Sequence, residues 1–337
     1  MTARRHLFRW TLGTVAGLAA LSVAGLVYLY LDFSRPLETP VRSAGPNAAW
    51  LAHKWVGKQQ PDAAYDRLAA HLKRHRITDA FFHVGPLQAD GTIAASRYPA
   101  AAHLVQQLRA RMPSLRTQAW IGQVEKRGGG PLDLSDPAVR ARIVETAGDF
   151  LVLGFGGIHY NIEPSTGNPH LLDLLDATRP LTRAKGAALS MATDELEPAP
   201  GLAWMTRIAG TYAGFWTEGY YRAVMDRVDQ VAIMMYDTAL PADWLYGSLA
   251  AWETRAVMAL APESVTVFVG APTYEEHRFS FDPAAENLRS ALRGIRKGMS
   301  PVPAPRRQNA GVAIYAHWTT DDAEWRHYRE TWLGLTD

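Results

Sequence analysis

Composition and charge exclude several classes of protein for this chain of 337 residues. Hydrophobic residues make up 47% and charged residues 20% of it, as in ordinary globular proteins, so the chain is not disordered as a whole. The net charge is only +2, with Arg4, Arg5 and Arg9 at the N-terminus, so no basic surface is left for a nucleic acid. There is no cysteine, which excludes disulfides, thiolate metal sites and a cysteine nucleophile.

The N-terminal part predicts a membrane anchor. Residues 10–31 carry no charge, and as a helix they would be about 33 Å long, close to the ~30 Å core of a bilayer. Because residues 1–9 are basic, we expect this tail to stay in the cytoplasm. The chain would then be a single-pass protein of the inner or cytoplasmic membrane with an extracytoplasmic domain, periplasmic or extracellular. A cleaved signal peptide is the alternative.

Residues 32–47 are rich in proline and predict a linker that lifts the following domain, residues 48–337, off the membrane. Within that domain, strand-like and helix-like hydrophobic patterns alternate eight times, which predicts a (β/α)8 TIM barrel. An open doubly wound sheet is the alternative, but no Gly-x-Gly-x-x-Gly turn follows the first strand. The predicted strands are Ala49–Trp55, Asp79–Val84, Arg116–Ile121, Gly157–Ile162, Ala187–Ala192, Gln230–Tyr236, Val265–Gly270 and Gly311–Tyr315.

The fourth predicted strand has an unusual polar face. Its apolar residues alternate with His159, Asn161 and Glu163, and Pro164 follows at once. In a barrel this face points toward the axis, and Glu163 lies at the carboxyl end of the strand, where barrel enzymes keep their chemistry. A strand of an open sheet with a chance polar face is the plainer interpretation.

Other strand ends also carry polar and aromatic residues. A carboxylic acid can protonate a glycosidic oxygen, and an apolar surrounding raises the carboxyl pKa enough to keep the proton on it. The polar and aromatic residues at the predicted strand ends are therefore suited to glycoside chemistry. They are His53, Trp55, His83, Trp120, Gln123, Asn161, Glu163, Asp194, Glu195, Met234, Tyr236, Asp237, Tyr274, Glu275, Glu276, His317 and Trp318.

Three of these strand ends resemble family 18 glycoside hydrolases, the chitinases and endo-β-N-acetylglucosaminidases. The family's fourth strand carries Asp-Gly-x-Asp-x-Asp-x-Glu, which aligns with residues 156–163 here. Its sixth strand ends in Met-x-Tyr-Asp, matched by residues 234–237, and its eighth ends in a tryptophan, matched by Trp318.

The resemblance implies roles for individual residues. Glu163 would be the general acid, Tyr236 would hydrogen-bond the 2-acetamido group of the sugar, and Trp318 would stack beneath the ring. The family uses no enzyme nucleophile, because the acetamido group of the substrate attacks its own anomeric carbon. Asp237 and Met234 belong to the same motif, and the implied substrate is a glycan that contains N-acetylhexosamine.

The chain departs from the family pattern at all three aspartates of strand four. Gly156, His159 and Asn161 replace them, and the Ser-x-Gly-Gly of strand three is also absent. The Asn-x-Glu pair resembles family 85 endo-β-N-acetylglucosaminidases, which follow the same substrate-assisted route. We therefore expect Asn161 to act in catalysis. His159 is expected to be a buried neutral residue bonded to Tyr236 or Asp237, or a contact to the substrate.

The remaining strand-end residues have weaker assignments. Trp55, His83 and Trp120 are further candidates for contacts with the glycan. Asp194 and Glu195 predict a solvated loop, with binding of a cationic sugar as the alternative. His53, His83 and His317 do not follow a recognised ligand spacing, so neither a metal nor another cofactor is predicted, and no obligate protein partner is inferred.

Two other functions remain open at this point. The loss of the aspartates fits a carbohydrate-binding barrel without turnover, although such a barrel has no need to retain Glu163. A glycosidase that uses Glu163 and Asp237 as a pair of carboxylates on a sugar without an acetamido group is the other possibility.

Overall fold

The computed structural model describes residues 17, 20–37, 41–164, 166–199, 201 and 214–336. Eight parallel strands close into a barrel in sequence order, and the last strand pairs with the first through Ala48–Ala313 and Ala49–Ile314. The predicted TIM barrel is therefore confirmed. The strands are β1 Ala48–Leu51, β2 Asp79–Pro86, β3 Arg116–Val124, β4 Gly157–Glu163, β5 Ala188–Thr193, β6 Gln230–Ile233, β7 Thr266–Pro272 and β8 Ala310–Tyr315.

Helices follow the strands and cover the outside of the barrel. Several begin at a residue whose side chain caps the free backbone N–H groups, as Asn168, Asn287 and Asp321 do. The α-helices are Lys54–Gly57, Asp62–Arg74, Ala101–Arg111, Pro137–Val152, Pro169–Ala184, Glu218–Met225, Asp243–Leu260, Leu288–Met299, Ala304–Arg307 and Asp322–Tyr328, and the last continues into a π-helical turn, Arg329–Leu333. The predicted helix 204–227 is described only from residue 214 onward, and there it is reduced to Glu218–Met225.

Two strands end earlier than predicted. The first stops at Leu51 because the chain turns into the short helix Lys54–Gly57. The sixth stops at Ile233, since the N–H of Met235 bonds back to the carbonyl of Ile233 and the N–H of Tyr236 to that of Met234. The N–H of Met234 still bonds to the carbonyl of Thr193 on β5, and the tight turns then take residues 235–237 out of the sheet.

The barrel interior is layered. At the amino ends of the strands, Asp79, Gln118 and Gln230 form a buried polar cluster joined by hydrogen bonds of 2.6–2.9 Å. The middle layer is mostly apolar and includes Trp50 and Phe81, with the ring of His159 stacked on Phe81 at a centroid distance of 3.8 Å. The alternate residues of β4 (positions 158, 160 and 162) belong to the core between sheet and helices, so the predicted inward direction of the polar face of β4 is confirmed.

The N-terminal part lies against the barrel. Residues 20–34 are helical, and the predicted anchor, residues 10–31, lies partly outside the described residues. Within the described ranges, no helix has both the length and the apolar character needed to cross a membrane. The described part of the predicted linker differs from expectation, because it packs on the domain: Asn47 is 1% exposed, and its side-chain oxygen accepts hydrogen bonds from Trp332 Nε1 and the Val312 N–H.

Candidate active site

A cleft of about 1000 Å³ opens at the carboxyl ends of the strands. This is the end of the barrel where the connecting loops of TIM-barrel enzymes form their active sites. The lining brings together polar side chains from the ends of β4, β5 and β6. These are Asn161, Glu163, Asp194, Glu195, Tyr236 and Asp237.

Glu163 is the last residue of β4 and projects into this cleft. Its side chain is exposed to the cleft, and the surrounding walls take away part of its hydration. This desolvation, together with the negative charges of Asp194 and then Asp237, raises the pKa of Glu163 to about 7. A carboxyl group with this pKa holds its proton near neutral pH and can deliver it to a leaving group.

Asn161 lies two residues before Glu163 on the same face of β4. A hydrogen bond from the Asn161 side chain to Glu163 partly opposes the rise in the pKa of Glu163. The side-chain oxygen of Asn161 is buried and has no hydrogen-bond partner. A buried acceptor without a partner is costly, so this oxygen lacks a donor that the described protein atoms supply.

Tyr236 and Tyr315 form an aromatic wall of the cleft. Their rings stack with centroids 4.6 Å apart and an angle of 15° between the planes. Burial, followed by the effects of Tyr315 and Glu163, raises the pKa of Tyr236 well above its usual value. The Tyr236 hydroxyl therefore stays neutral and can donate a hydrogen bond.

Asp237 lies next to this wall. It adopts a positive φ of 62°, an uncommon conformation that aspartate tolerates better than most residues. Its carboxylate accepts hydrogen bonds from the Tyr274 hydroxyl at 3.1 Å and the Ser280 hydroxyl at 3.4 Å. These two bonds fix the carboxylate at the rim of the cleft.

The expectation that Asp194 and Glu195 belong to a solvated loop is wrong. Asp194 accepts hydrogen bonds of 3.0 Å from the Thr166 hydroxyl and from Trp216 Nε1, which hold it in the cleft wall. Burial and the adjacent charge of Asp194 raise the pKa of Glu195 to about 8. The two residues directly follow β5, and the strand-end rule that selects Glu163 also places them among the candidate site residues, although the acidic run was assigned to a solvated loop.

His159 lies below the cleft, and its predicted bond to Tyr236 or Asp237 is wrong. It is fully buried, and its Nε2 accepts a hydrogen bond from Trp50 Nε1 at 3.1 Å. Its Nδ1 then carries the proton and donates to Ser190 Oγ at 2.9 Å. Burial lowers the pKa of His159 to about 3, so the ring is neutral, as expected, and belongs to the barrel core.

The structure does not bring the other predicted substrate contacts into the described lining of the cleft, apart from Met234. Trp55 lies in the helix after β1 and is 7% exposed. His83 and Trp120 contact each other, with ring centroids 4.8 Å apart. Trp318 lies three residues beyond β8 and is 45% exposed, whereas Tyr315, the last residue of β8, lines the cleft.

A metal centre is not evident in the described part of the chain. There, no group of three or more histidine, aspartate or glutamate side chains is placed to hold a metal ion.

Several solved structures with the same fold are chitinases or spore cortex-lytic enzymes. No protein-family model and no curated protein matches the sequence. The spore cortex-lytic enzyme SleL of Bacillus cereus superposes with a TM-score of 0.59 at 14% identity, covering 88% of this chain and 76% of that enzyme. A chitinase from Chromobacterium violaceum superposes with a TM-score of 0.56 at 16% identity, covering 87% of this chain and 100% of that chitinase. A class V chitinase from Pseudomonas fluorescens superposes with a TM-score of 0.55 at 14% identity, covering 87% of this chain and 99% of that chitinase.

These likenesses define a class of fold. The chain has the TIM-barrel fold that these two chitinases and SleL also have, at low sequence identity. The resemblance noted in the sequence is thereby confirmed at the level of the fold. The activity is a separate question, because one fold can host many functions and activity depends on the site.

Proposed function

We propose that the chain is a glycoside hydrolase that acts on glycans containing N-acetylhexosamine, with Glu163 as the general acid. The observation that carries this proposal is the pair formed by Glu163, whose pKa is raised to about 7, and Asn161, whose side-chain oxygen has no partner. The likeness of the fold to chitinases and cortex-lytic enzymes supports the choice of a glycan as substrate.

The proposed first step needs no nucleophile from the protein. The acetamido carbonyl oxygen of the sugar attacks the anomeric carbon as the bond to the glycosidic oxygen breaks, and Glu163 gives its proton to that oxygen. The products are the free leaving sugar, an oxazolinium ion and the Glu163 carboxylate. Asn161 accepts a hydrogen bond from the acetamido N–H, and the Tyr236 hydroxyl donates one to the acetamido oxygen.

The second step returns the enzyme to its starting state. Water attacks the anomeric carbon, the Glu163 carboxylate takes a proton from it, and the oxazolinium ring opens to restore the acetamido group. Two successive displacements at one carbon retain its configuration. Tyr315, at the end of β8, supplies the ring on which the sugar packs, in the place that the sequence assigned to Trp318.

A two-carboxylate mechanism on a sugar without an acetamido group is the second candidate. It is favoured by the position of Asp194 and Asp237, whose negative charges both act on Glu163. In that case one of them would be the nucleophile or the base that activates water. The choice between the two mechanisms determines whether the acetamido group is required.

We also propose that residues 10–31 anchor the protein in the membrane with its domain on the extracytoplasmic side. Supporting this, residues 10–31 carry no charge, and the described helix 20–34 exposes apolar side chains, among them Leu21 (72%) and Val23 (59%). The basic tail of residues 1–9 favours the cytoplasmic side for the N-terminus.

The proposed activity is tested with the full chain in detergent micelles on oligomers of N-acetylglucosamine and, in parallel, on oligomers of glucose. We expect cleavage of the first set only, with inhibition by a thiazoline analogue of the oxazolinium ion. Cleavage of glucose oligomers without inhibition by the thiazoline would favour the two-carboxylate mechanism. Binding of oligomers without cleavage would favour a carbohydrate-binding barrel.

A further inference from the structure

The helix formed by residues 20–34 has an exposed apolar surface along its length. Besides Leu21 and Val23, Val27 is 50% exposed and Leu31 51% exposed. Soluble proteins rarely leave a helix surface of this kind uncovered, and such surfaces mark sites of contact with lipid or protein. Because the helix belongs to the uncharged run of residues 10–31, a lipid bilayer is the occupant that fits it.

The carboxyl end of this helix is fixed to the barrel. Phe33 is 7% exposed and fills the space above Gly247, where an added Cβ would come within 2.1 Å of its ring. The Asp32 carboxylate lies 3.2 Å from Lys297 Nζ, and Arg293 Nε donates to the carbonyl oxygen of Phe33 at 2.7 Å. The barrel is therefore attached directly to the helix.

The chain between helix and barrel also follows the surface of the domain where it is described. Val41 is 7% exposed, and its carbonyl oxygen accepts a hydrogen bond of 2.8 Å from Arg296 Nε. The N–H of Ser43 bonds to the carbonyl oxygen of Trp332 at 2.7 Å. These contacts hold the barrel at a fixed distance from the helix, in contrast to a flexible linker.

Leu29 connects the helix with the candidate active site. It is 37% exposed, lies two residues before the end of the uncharged run, and lines the same cleft as Glu163. Two residues of helix correspond to ~3 Å along its axis. We propose that the mouth of the cleft faces the surface of a lipid bilayer, at the level of the lipid headgroups.

The rim of the cleft supports this orientation. Phe279 is completely exposed (104%) and is followed by Ser280, which lines the cleft. Val124, at the end of β3, lines the cleft as well and is 42% exposed. Exposed aromatic and aliphatic side chains at the rim of a cleft that a membrane-directed helix also lines are typical of surfaces that insert into the interfacial region.

This inference rests on the proposed anchor at residues 10–31 and is independent of the proposed hydrolysis. The test uses the full chain in vesicles of phosphatidylcholine and phosphatidylglycerol (3:1) that contain a lipid with a quencher near its headgroup. Since the chain has no cysteine, Phe279→Cys allows a single fluorophore to be placed at the rim. Lys185→Cys, exposed just before β5 at the opposite end of the barrel, is the matched control.

We expect the protein to float with the vesicles and the fluorophore at position 279 to be quenched several-fold more strongly than at position 185. Adding Asp32→Ala and Phe33→Ala, which remove the ion pair with Lys297 and the packing of the Phe33 ring on Gly247, should preserve flotation and reduce the difference in quenching. Equal quenching at the two positions in the otherwise unchanged chain would overturn the proposed orientation. Failure to float would overturn it together with the anchor, and neither result depends on turnover.

Discussion

Glu163 and Asp194 lie at the carboxyl ends of two neighbouring strands, β4 and β5. The negative charge of Asp194 therefore acts on the carboxyl group of Glu163. After burial, it is the largest influence that raises the pKa of Glu163 to about 7. The three aspartates of the family motif are absent from β4. A carboxylate from the neighbouring strand thus supplies negative charge beside the proposed acid.

The pH dependence of turnover follows from this pair. Glu163 must hold its proton to act as the acid, so kcat/KM should fall as the pH rises through about 7. Asp194→Asn removes a like charge, which lowers the pKa of Glu163 and moves this alkaline limb to lower pH. The measurement is kcat/KM against pH for both proteins, and an unchanged limb in Asp194→Asn would show that the two carboxyl groups are not coupled.

Asn161 should affect the rate of the chemical step. In Asn161→Ala the acetamido group loses a hydrogen-bonding partner, and loss of one such positioned group costs about 100- to 1,000-fold in kcat. Comparison of kcat for wild type and variant on an N-acetylglucosamine oligomer provides the measurement. A variant with normal kcat and only a raised KM would assign Asn161 to ground-state binding alone.

The two aromatic residues near the end of β8 offer a matched comparison. Tyr315 lines the cleft and stacks on Tyr236, whereas Trp318 lies outside the described lining. We expect Tyr315→Ala to reduce kcat/KM by about tenfold or more, through loss of packing against the sugar, and Trp318→Ala to have a smaller effect. The reverse order would restore the role that the sequence assigned to Trp318.

His159 should contribute to stability. His159→Leu leaves the buried Trp50 Nε1–H and Ser190 hydroxyl without their partner, and each unsatisfied group costs about 1–3 kcal/mol. Denaturant unfolding of both proteins at pH 7 measures the difference in the free energy of unfolding. A loss of well under 1 kcal/mol would mean that the neighbouring groups find other partners.

His159 should also make the free energy of unfolding depend on pH. His159 has a pKa of about 3 in the fold, against a usual value of 6.5, so below pH 6.5 the unfolded chain binds a proton that the native chain does not. Stability therefore falls as the pH drops from 6.5 toward 3. Between pH 4.5 and 6, His159→Leu should reduce this slope by about 1.4 kcal/mol per pH unit. Equal slopes would contradict the buried neutral state.

The fold could be predicted from the sequence because its signals are local and repeated. The eight apolar runs and the helical periods between them identify a closed barrel without any knowledge of contacts. The alternation along β4 also indicated correctly that Asn161 and Glu163 face the inside. The positions at which strands end could be predicted less well, because the turn that stops β6 at Ile233 depends on backbone hydrogen bonds that the sequence does not reveal.

The site was predicted only in part for the same reason. The buried neutral state of His159 was expected, but its partners, Trp50 and Ser190, are distant in sequence and differ from those predicted. Asp194 has the character of a solvated loop residue until Trp216 and Thr166 are seen to hold it in the cleft. Contacts between residues distant in sequence decided both cases.

The central claim is that Glu163 is the acid of a hydrolase, and the most direct measurement is turnover by Glu163→Gln. The matched control is Glu145→Gln, the same change at an exposed position on the helix Pro137–Val152. We expect hydrolysis of N-acetylglucosamine oligomers to fall by about 100- to 10,000-fold in Glu163→Gln and to stay unchanged in Glu145→Gln, with both variants folded. Hydrolysis at the wild-type rate by Glu163→Gln would contradict the account.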